Sequence, residues 1–277
     1  MSRKVAVILF PGSNCEQESK RAIESAGLFS EIVRWNEIKR CKGFAAFILP
    51  GGWSYEDRVR AGAIASHEEI MEVIKEEAAK GKPVLGICNG AQILVESGLV
   101  PGVPAGSLKS GKTFHHEGRF KDGTLESWKN KVQLALAPNH NPFVSGYYCT
   151  WVNIKKASGK KTPFTSSVDD VLPLPVAHGE GRFVSSDRSM LKKLDDAGQA
   201  IFKYCTKEGN VIDEFPVNPN GSGNSIAAIC NKTGNVMAMM PHPERSSWMR
   251  QVPGMNRKGE QAGPGRKIFE SLKEYLT

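Results

Sequence analysis

Short unbroken apolar runs alternate along this chain with longer stretches in which apolar residues return every three or four positions. Residues 5–10 (Val5-Ala6-Val7-Ile8-Leu9-Phe10) are continuously apolar, as expected of a strand buried on both faces of a parallel sheet. Pro11-Gly12-Ser13-Asn14 then reads as a turn, with Ser13 or Asn14 placed to cap a helix over 16–26 that Gly27 ends. Residues 31–35 and 44–49 predict a second and a third strand, the third running straight into Pro50-Gly51-Gly52. Over 67–80, Ile70, Val73, Ile74 and Ala78 fall on one side of an amphipathic helix that Gly81 stops. A fourth strand over 84–87 is followed at once by helix-like residues 91–95. This alternation predicts an α/β fold, a doubly wound, mostly parallel open sheet.

Beyond Pro101 the pattern changes. Residues 132–137 and 147–155 predict strands separated by Gly/Pro/Asn-rich loops, and they extend the sheet by antiparallel additions. Residues 172–183 read as one extended segment with a glycine-rich bend, and Ser186 or Asp187 caps a helix reaching 196. Strands over 200–205 and 225–230 follow, and Asn231-Lys232-Thr233-Gly234-Asn235 turns a hairpin into a strand over 236–240. A last helix over 265–276 carries Ile268, Phe269 and Leu272 on its apolar face. With no internal repeat, low-complexity tract or linker, the chain reads as a single domain over residues 1–277.

Composition narrows the function classes. With 40% hydrophobic and 24% charged residues in 277, the chain has ample material for a core. Its apolar runs are far shorter than the roughly 20 residues that span a bilayer, and the reading is cytoplasmic, with no membrane partner. Six scattered cysteines with no Cys-x-x-Cys pair suit reduced thiols better than a disulfide framework. The formal net charge is +8, yet the basic residues are spread out and their densest patch is Lys155-Lys156 with Lys160-Lys161. An anionic small molecule or acidic partner fits that distribution better than nucleic acid.

The chemistry centres on Gly86-Ile87-Cys88-Asn89-Gly90, the cysteine counterpart of the Gly-x-Ser-x-Gly elbow. A sharp strand-to-helix reversal exposes a nucleophile, and glycines on both sides let neighbouring backbone approach. At a helix N-terminus the free N–H groups favour thiolate over thiol and can also hold an oxyanion. Pro50-Gly51-Gly52, at the end of the third strand, is the natural second donor. A cysteine nucleophile needs a base, and a carboxylate two residues on along an extended backbone can orient that base. Two pairs qualify, His178-Gly179-Glu180 and His242-Pro243-Glu244. The second is better built, because it follows a strand directly and Pro243 stiffens it. His115-His116-Glu117 lacks helical metal-ligand spacing, so no metal is expected.

Through Leu49-Pro50-Gly51-Gly52, the Cys88 elbow with Gln92, and Pro241-His242-Pro243-Glu244, the chain resembles the class I (triad-type) glutamine amidotransferases. Phe10-Pro11-Gly12-Ser13-Asn14-Cys15-Glu16, Gly52-Trp53-Ser54-Tyr55, Ala177-His178-Gly179-Glu180-Gly181-Arg182 and Asn218-Pro219-Asn220-Gly221-Ser222 are similar to motifs of its purine-biosynthetic glutaminase subunits. The resemblance spans about residues 4–245; it departs at Glu56, where a small residue is usual, and in extra material around 121–170 and after 245. It implies that Cys88 attacks the carboxamide of L-glutamine, that Gly51, Gly52 and Asn89 hold the oxyanion, and that Gln92 helps hold the substrate. His242 would protonate the ammonia and then activate water, with Glu244 orienting it. It also implies that ammonia passes to a separate synthetase large subunit, with a small accessory subunit, and that ATP and Mg are used there, this chain carrying no cofactor. A stand-alone cysteine hydrolase of γ-glutamyl peptidase type, or a non-catalytic regulatory subunit, is the alternative on the same fold.

Overall fold

A computed structural model describes residues 4–102, 117–119, 125–127, 134–143, 146–168, 171–187, 189–254 and 260–277. In chain order the first half runs β1 (Lys4–Leu9), α1 (Glu16–Ser25), β2 (Phe29–Arg34), β3 (Ala46–Leu49), α2 (Glu69–Ala79), β4 (Val84–Ile87) and α3 (Asn89–Glu96). Two short strands, β5 (Glu117–Arg119) and β6 (Leu125–Ser127), pair with each other. The second half runs β7 (Ala135–Pro138), β8 (Tyr148–Lys156), β9 (Leu172–His178), β10 (Glu180–Val184), α4 (Met190–Asp196), β11 (Ala200–Cys205), β12 (Ile226–Cys230), β13 (Val236–Met239) and α5 (Arg266–Leu276).

One nine-stranded sheet, ordered β2-β1-β3-β4-β13-β12-β11-β8-β9, draws on both halves. Its first five strands are parallel, and the pairings from β13 onward are antiparallel. Val5, Ala6, Val7 and Ile8 are fully buried, which requires cover on both faces and accounts for the unbroken apolar run. The strand order has β1 to β2 stepping one way along the sheet and β3 to β4 the other, and the right-handed rule for parallel crossovers then puts α1 and α2 on opposite faces. Helix α5 packs beside α1, with Ile268, Phe269 and Leu272 buried. No helix of the described residues is long and apolar enough to cross a membrane, and all six cysteines are unpaired.

Two local expectations are corrected. Helix α1 is capped by Cys15, with no side-chain cap bond. Ser13 and Asn14 bond elsewhere instead: Ser13 Oγ accepts from the Phe10 N–H, and Asn14 Oδ1 from the Cys15 thiol. The stretch 172–183 is two strands rather than one, because the chain bends at Gly179 and leaves the main sheet. Strand β9 pairs with β8, whereas β10 pairs with β7 in a separate two-stranded sheet. The His115-His116-Glu117 stretch, at which no metal is expected, lies outside the described side chains.

The two glycines of the elbow are steric requirements. A Cβ on Gly90 would lie 1.9 Å from Leu49 O, and one on Gly86 would lie 2.4 Å from Gly90 O. Here α3 leans on β3 and β4 at backbone distance. Gly90→Ala is therefore expected to cost about 3 kcal/mol or more, the upper range for overpacking, seen as a lowered melting temperature. Gly159→Ala, whose Cβ would meet nothing within 4 Å, is the control and should shift stability by no more than about 0.5 kcal/mol.

Candidate active site

Strands β3, β4 and β13 end at the same edge of the sheet, where open α/β sheets bind ligands. Cys88 follows β4 with φ 51° and ψ −109°, a conformation that an L-residue holds only under constraint. Its N–H donates to Met239 O at 2.8 Å, tying the elbow to β13. Three residues past β13, the N–H of His242 donates to Pro175 O at 2.8 Å, which brings β9 into the site. Pro243 opens a tight 3-10 turn over Pro243–Ser246, and that turn carries Glu244 back toward the ring. His242 Nδ1 lies 2.5 Å from Glu244 Oε1, and both side chains are fully buried. Since a carboxylate only accepts, the proton on Nδ1 points at Glu244. Burial pulls the His242 pKa down, but the Glu244 and Cys88 negative charges outweigh it and hold the imidazole well above its ordinary value. Nε2 is buried, with no hydrogen-bond partner among the described residues.

Gly51 lies at the centre of these groups. A Cβ there would sit 2.8 Å from His242 Cε1, 3.2 Å from Cys15 Sγ and 3.4 Å from Cys88 Cβ. The Gly51 carbonyl accepts from the N–H groups of Asn14 and Cys15, both at 3.3 Å. In a planar peptide the Gly52 N–H then faces the opposite way. Gly52 has φ 137° and passes Asn14 N so closely that a Cβ would be 2.6 Å from it, so no other residue fits. The following loop is strained: Tyr55, Glu56, Asp57 and Val59 all have positive φ. Glu56, the residue that departs from the family pattern, adopts φ 61°, a geometry that suits glycine better.

Asn89 begins α3, so its N–H belongs to the first turn, where helical partners are lacking. The Asn89 side chain is wholly buried: Oδ1 accepts from the Ser54 N–H at 3.0 Å, and Nδ2 donates to Asp57 Oδ1 at 3.1 Å and Gln92 Oε1 at 2.9 Å. Burial, reinforced by Glu180, pushes the Asp57 carboxyl up to about 6 against the Asn89 hydrogen bond. Gln92 spans to β10, with Nε2 donating to Glu180 O at 2.6 Å, so much of its amide capacity goes into the wall of the cleft.

A cleft of ≈ 170 Å³ unites Cys88, His242, Gly52, Gln92, His178 and Glu180. Trp53 and Tyr147 stack over it with ring centroids 5.7 Å apart. His178 lies here too, though Glu180 does not orient it: its Nδ1 is 3.0 Å from Asn139 Oδ1. Cys15, Asn139, Tyr147 and Arg245 escaped the site reading of the sequence. Arg245 Nη2 donates to Cys15 Sγ at 2.9 Å, and Cys15 ends the turn after β1, the available signal being its place at the carboxyl end of a parallel strand. Asn139 lies in a loop and carried no signal. Cys15, His242 and Glu244 bring donor atoms within 4.8 Å of one another, a mixed S/N/O set that zinc accepts, but one in which the His242–Glu244 hydrogen bond already uses both partners.

A nucleophile elbow at a parallel-strand end, a carboxylate-held histidine and a glycine loop together define a cysteine amidotransferase site, and the chain belongs to the family of CobB/CobQ-like glutamine amidotransferase domains, matching it over residues 2–276. Within it, the chain is 44% identical over 283 residues to the phosphoribosylformylglycinamidine synthase subunit PurQ of Methanothrix thermoacetophila, covering 99% of this chain and 98% of that protein. It is 38% identical over 246 residues to the subunit of the same name from Pyrococcus furiosus, covering 88% and 89%. In structure it is similar to a chain of PurLQS from Thermotoga maritima, with TM-score 0.70, 30% identity and full coverage of both chains. A putative GMP synthase subunit protein from Thermoplasma acidophilum, 14% identical with TM-score 0.51, covers all of this chain and 94% of its own and shares the fold.

Proposed function

We infer that this chain is the glutaminase subunit of phosphoribosylformylglycinamidine synthase, a single domain that hydrolyses glutamine and hands the ammonia to a synthetase. End-to-end similarity to proteins named as that subunit carries the assignment. The chemistry follows from the residues of the cleft. Cys88 Sγ passes its proton to His242 Nε2 and attacks the carboxamide carbon of glutamine, and the Asn89 N–H and the Gly52 N–H, the latter in a loop shaped by Gly51, receive the charge that builds on oxygen. His242 gives its Nε2 proton to the departing nitrogen, the C–N bond breaks, and a Cys88 thioester remains. The same nitrogen takes a proton from water, which attacks the thioester and releases glutamate. Glu244 holds the ring for both transfers, and Gln92 shapes the substrate wall. A large synthetase subunit, with ATP and Mg²⁺, and a small accessory subunit complete the reaction, turning formylglycinamide ribonucleotide into its amidine in the cytoplasm.

Coupling demands restraint in the free subunit. The Gly51 carbonyl is held by the start of α1, and the strained loop beside it begins at the exposed Trp53. A partner that grips either segment re-aims the oxyanion donor, and one misplaced donor is worth roughly 10²–10³ in rate. The chain alone is thus expected to hydrolyse glutamine at least ~100-fold more slowly than the loaded complex. Steady-state glutaminase assays with and without the synthetase and its nucleotides measure this. Equal kcat in both would favour a stand-alone hydrolase.

A further inference from the structure

His178 lies in the cleft beside the nucleophile, yet the hydrolysis described above does not use it. Its neighbour Ala177 places a carbonyl 3.5 Å from Cys88 Sγ, and His178 itself is 3% exposed. The tautomer of its ring is dictated by Asn139. That amide donates through Nδ2 to His178 O at 2.7 Å and Gly146 O at 3.0 Å, which commits its Oδ1 to the role of acceptor. The proton of the hydrogen bond between Oδ1 and the ring must then sit on His178 Nδ1. Nε2 is left with a lone pair and no proton; it is buried, with no partner among the described residues, on a histidine that lines the cleft. A buried acceptor of this kind calls for a donor.

We propose that His178 holds the substrate nitrogen: its bare Nε2 accepts a hydrogen bond from the carboxamide NH₂ of glutamine and, after C–N cleavage, from the ammonia which that nitrogen becomes. This rests on the glutaminase reading. Glutamine offers two sets of N–H donors. The α-ammonium is charged and is better matched by the carboxylates of Asp57 and Glu180, which line the same cleft. The carboxamide NH₂ is neutral and matches a neutral acceptor. Its oxygen accepts only, so it cannot serve Nε2. The proton balance favours the same assignment. His242 delivers one proton to the leaving nitrogen, and His178 adds none, because Nε2 carries none. Burial, with the nearby positive charge of His242, pushes the His178 imidazole down to about 3, so it takes none from ammonia either. The product therefore stays as NH₃, the form a downstream acceptor requires.

The test compares glutamine with glutamate γ-methyl ester, whose leaving group offers no N–H, in the full chain assembled with its synthetase. For His178→Leu, the ratio of kcat/KM on the amide to kcat/KM on the ester should fall about tenfold relative to wild type, the scale of one hydrogen bond. His178→Gln, which restores an acceptor oxygen, should recover part of that ratio and remains informative if the leucine variant folds poorly. An unchanged ratio in both variants, including equal losses on the two substrates, overturns the proposal. A wild-type enzyme that cleaves neither substrate instead overturns the glutaminase reading.

Discussion

Cys88→Ala is expected to remove glutamine-dependent activity by on the order of 10⁴–10⁶-fold, the scale on which a covalent nucleophile is lost. On the proposed function, the complex should still form product from added ammonium, because the synthetic site would lie in another polypeptide. Cys88→Ser should behave alike, since the site is built around a larger, softer sulfur. A glutamine-like alkylating analogue followed by mass spectrometry gives a second readout, with the label expected on Cys88. Cys15 is the rival to watch. It lies against the same Gly51 and has its own contact with Arg245. Its sulfur, however, is already engaged with Asn14 and Arg245, and it lacks the left-handed elbow that Cys88 shows. Label found mainly on Cys15 would reverse the assignment.

His242→Ala should cost about as much as Cys88→Ala, because members of a triad act as a unit and the second removal adds little. Glu244→Gln is expected to cost less, roughly 10²–10⁴-fold, since an amide can still contact Nδ1 but permits the wrong tautomer. The buried pair explains why the loss remains large: Glu244 is fully enclosed, so no solvent takes over the orienting role. Single-turnover glutaminase assays on the three variants and on Cys88→Ala/His242→Ala decide the matter. A His242→Ala enzyme near wild-type rate would mean that the base is elsewhere.

The architecture was legible where the chain obeys local rules. Parallel strands buried on both faces leave unbroken apolar runs, and β1 and β4 were read almost to the residue. Cys88 announced itself because the steric demands of its elbow require the two glycines that flank it. His242 was preferred over His178 because a strand end and a proline give it direction. Long-range partners left no such mark. Nothing near Asn139 in the sequence indicates that it fixes a histidine 39 residues away. The bend at Gly179 was seen as a feature of one segment, whereas the choice to leave the main sheet depends on β7, which becomes a neighbour only through tertiary packing. The capping of α1 was misread for the same reason: Asn14 and Cys15 direct their N–H groups to Gly51.

The sheet order has a consequence for the timing of synthesis. Strand β13 lies between β4 and β12, so the middle of the sheet is closed by a strand made long after β4. Between residues 88 and 242 the ribosome adds about 150 residues, on the order of 8–30 s at roughly 5–20 residues per second. Throughout that interval the nascent chain already carries Cys88, while β13, whose Met239 carbonyl receives the Cys88 N–H, and His242 and Glu244 are all still to come. On the proposed mechanism, glutamine meeting the unfinished chain encounters a thiol without its relay, and hydrolysis waits for β13 to slot into the middle of the sheet.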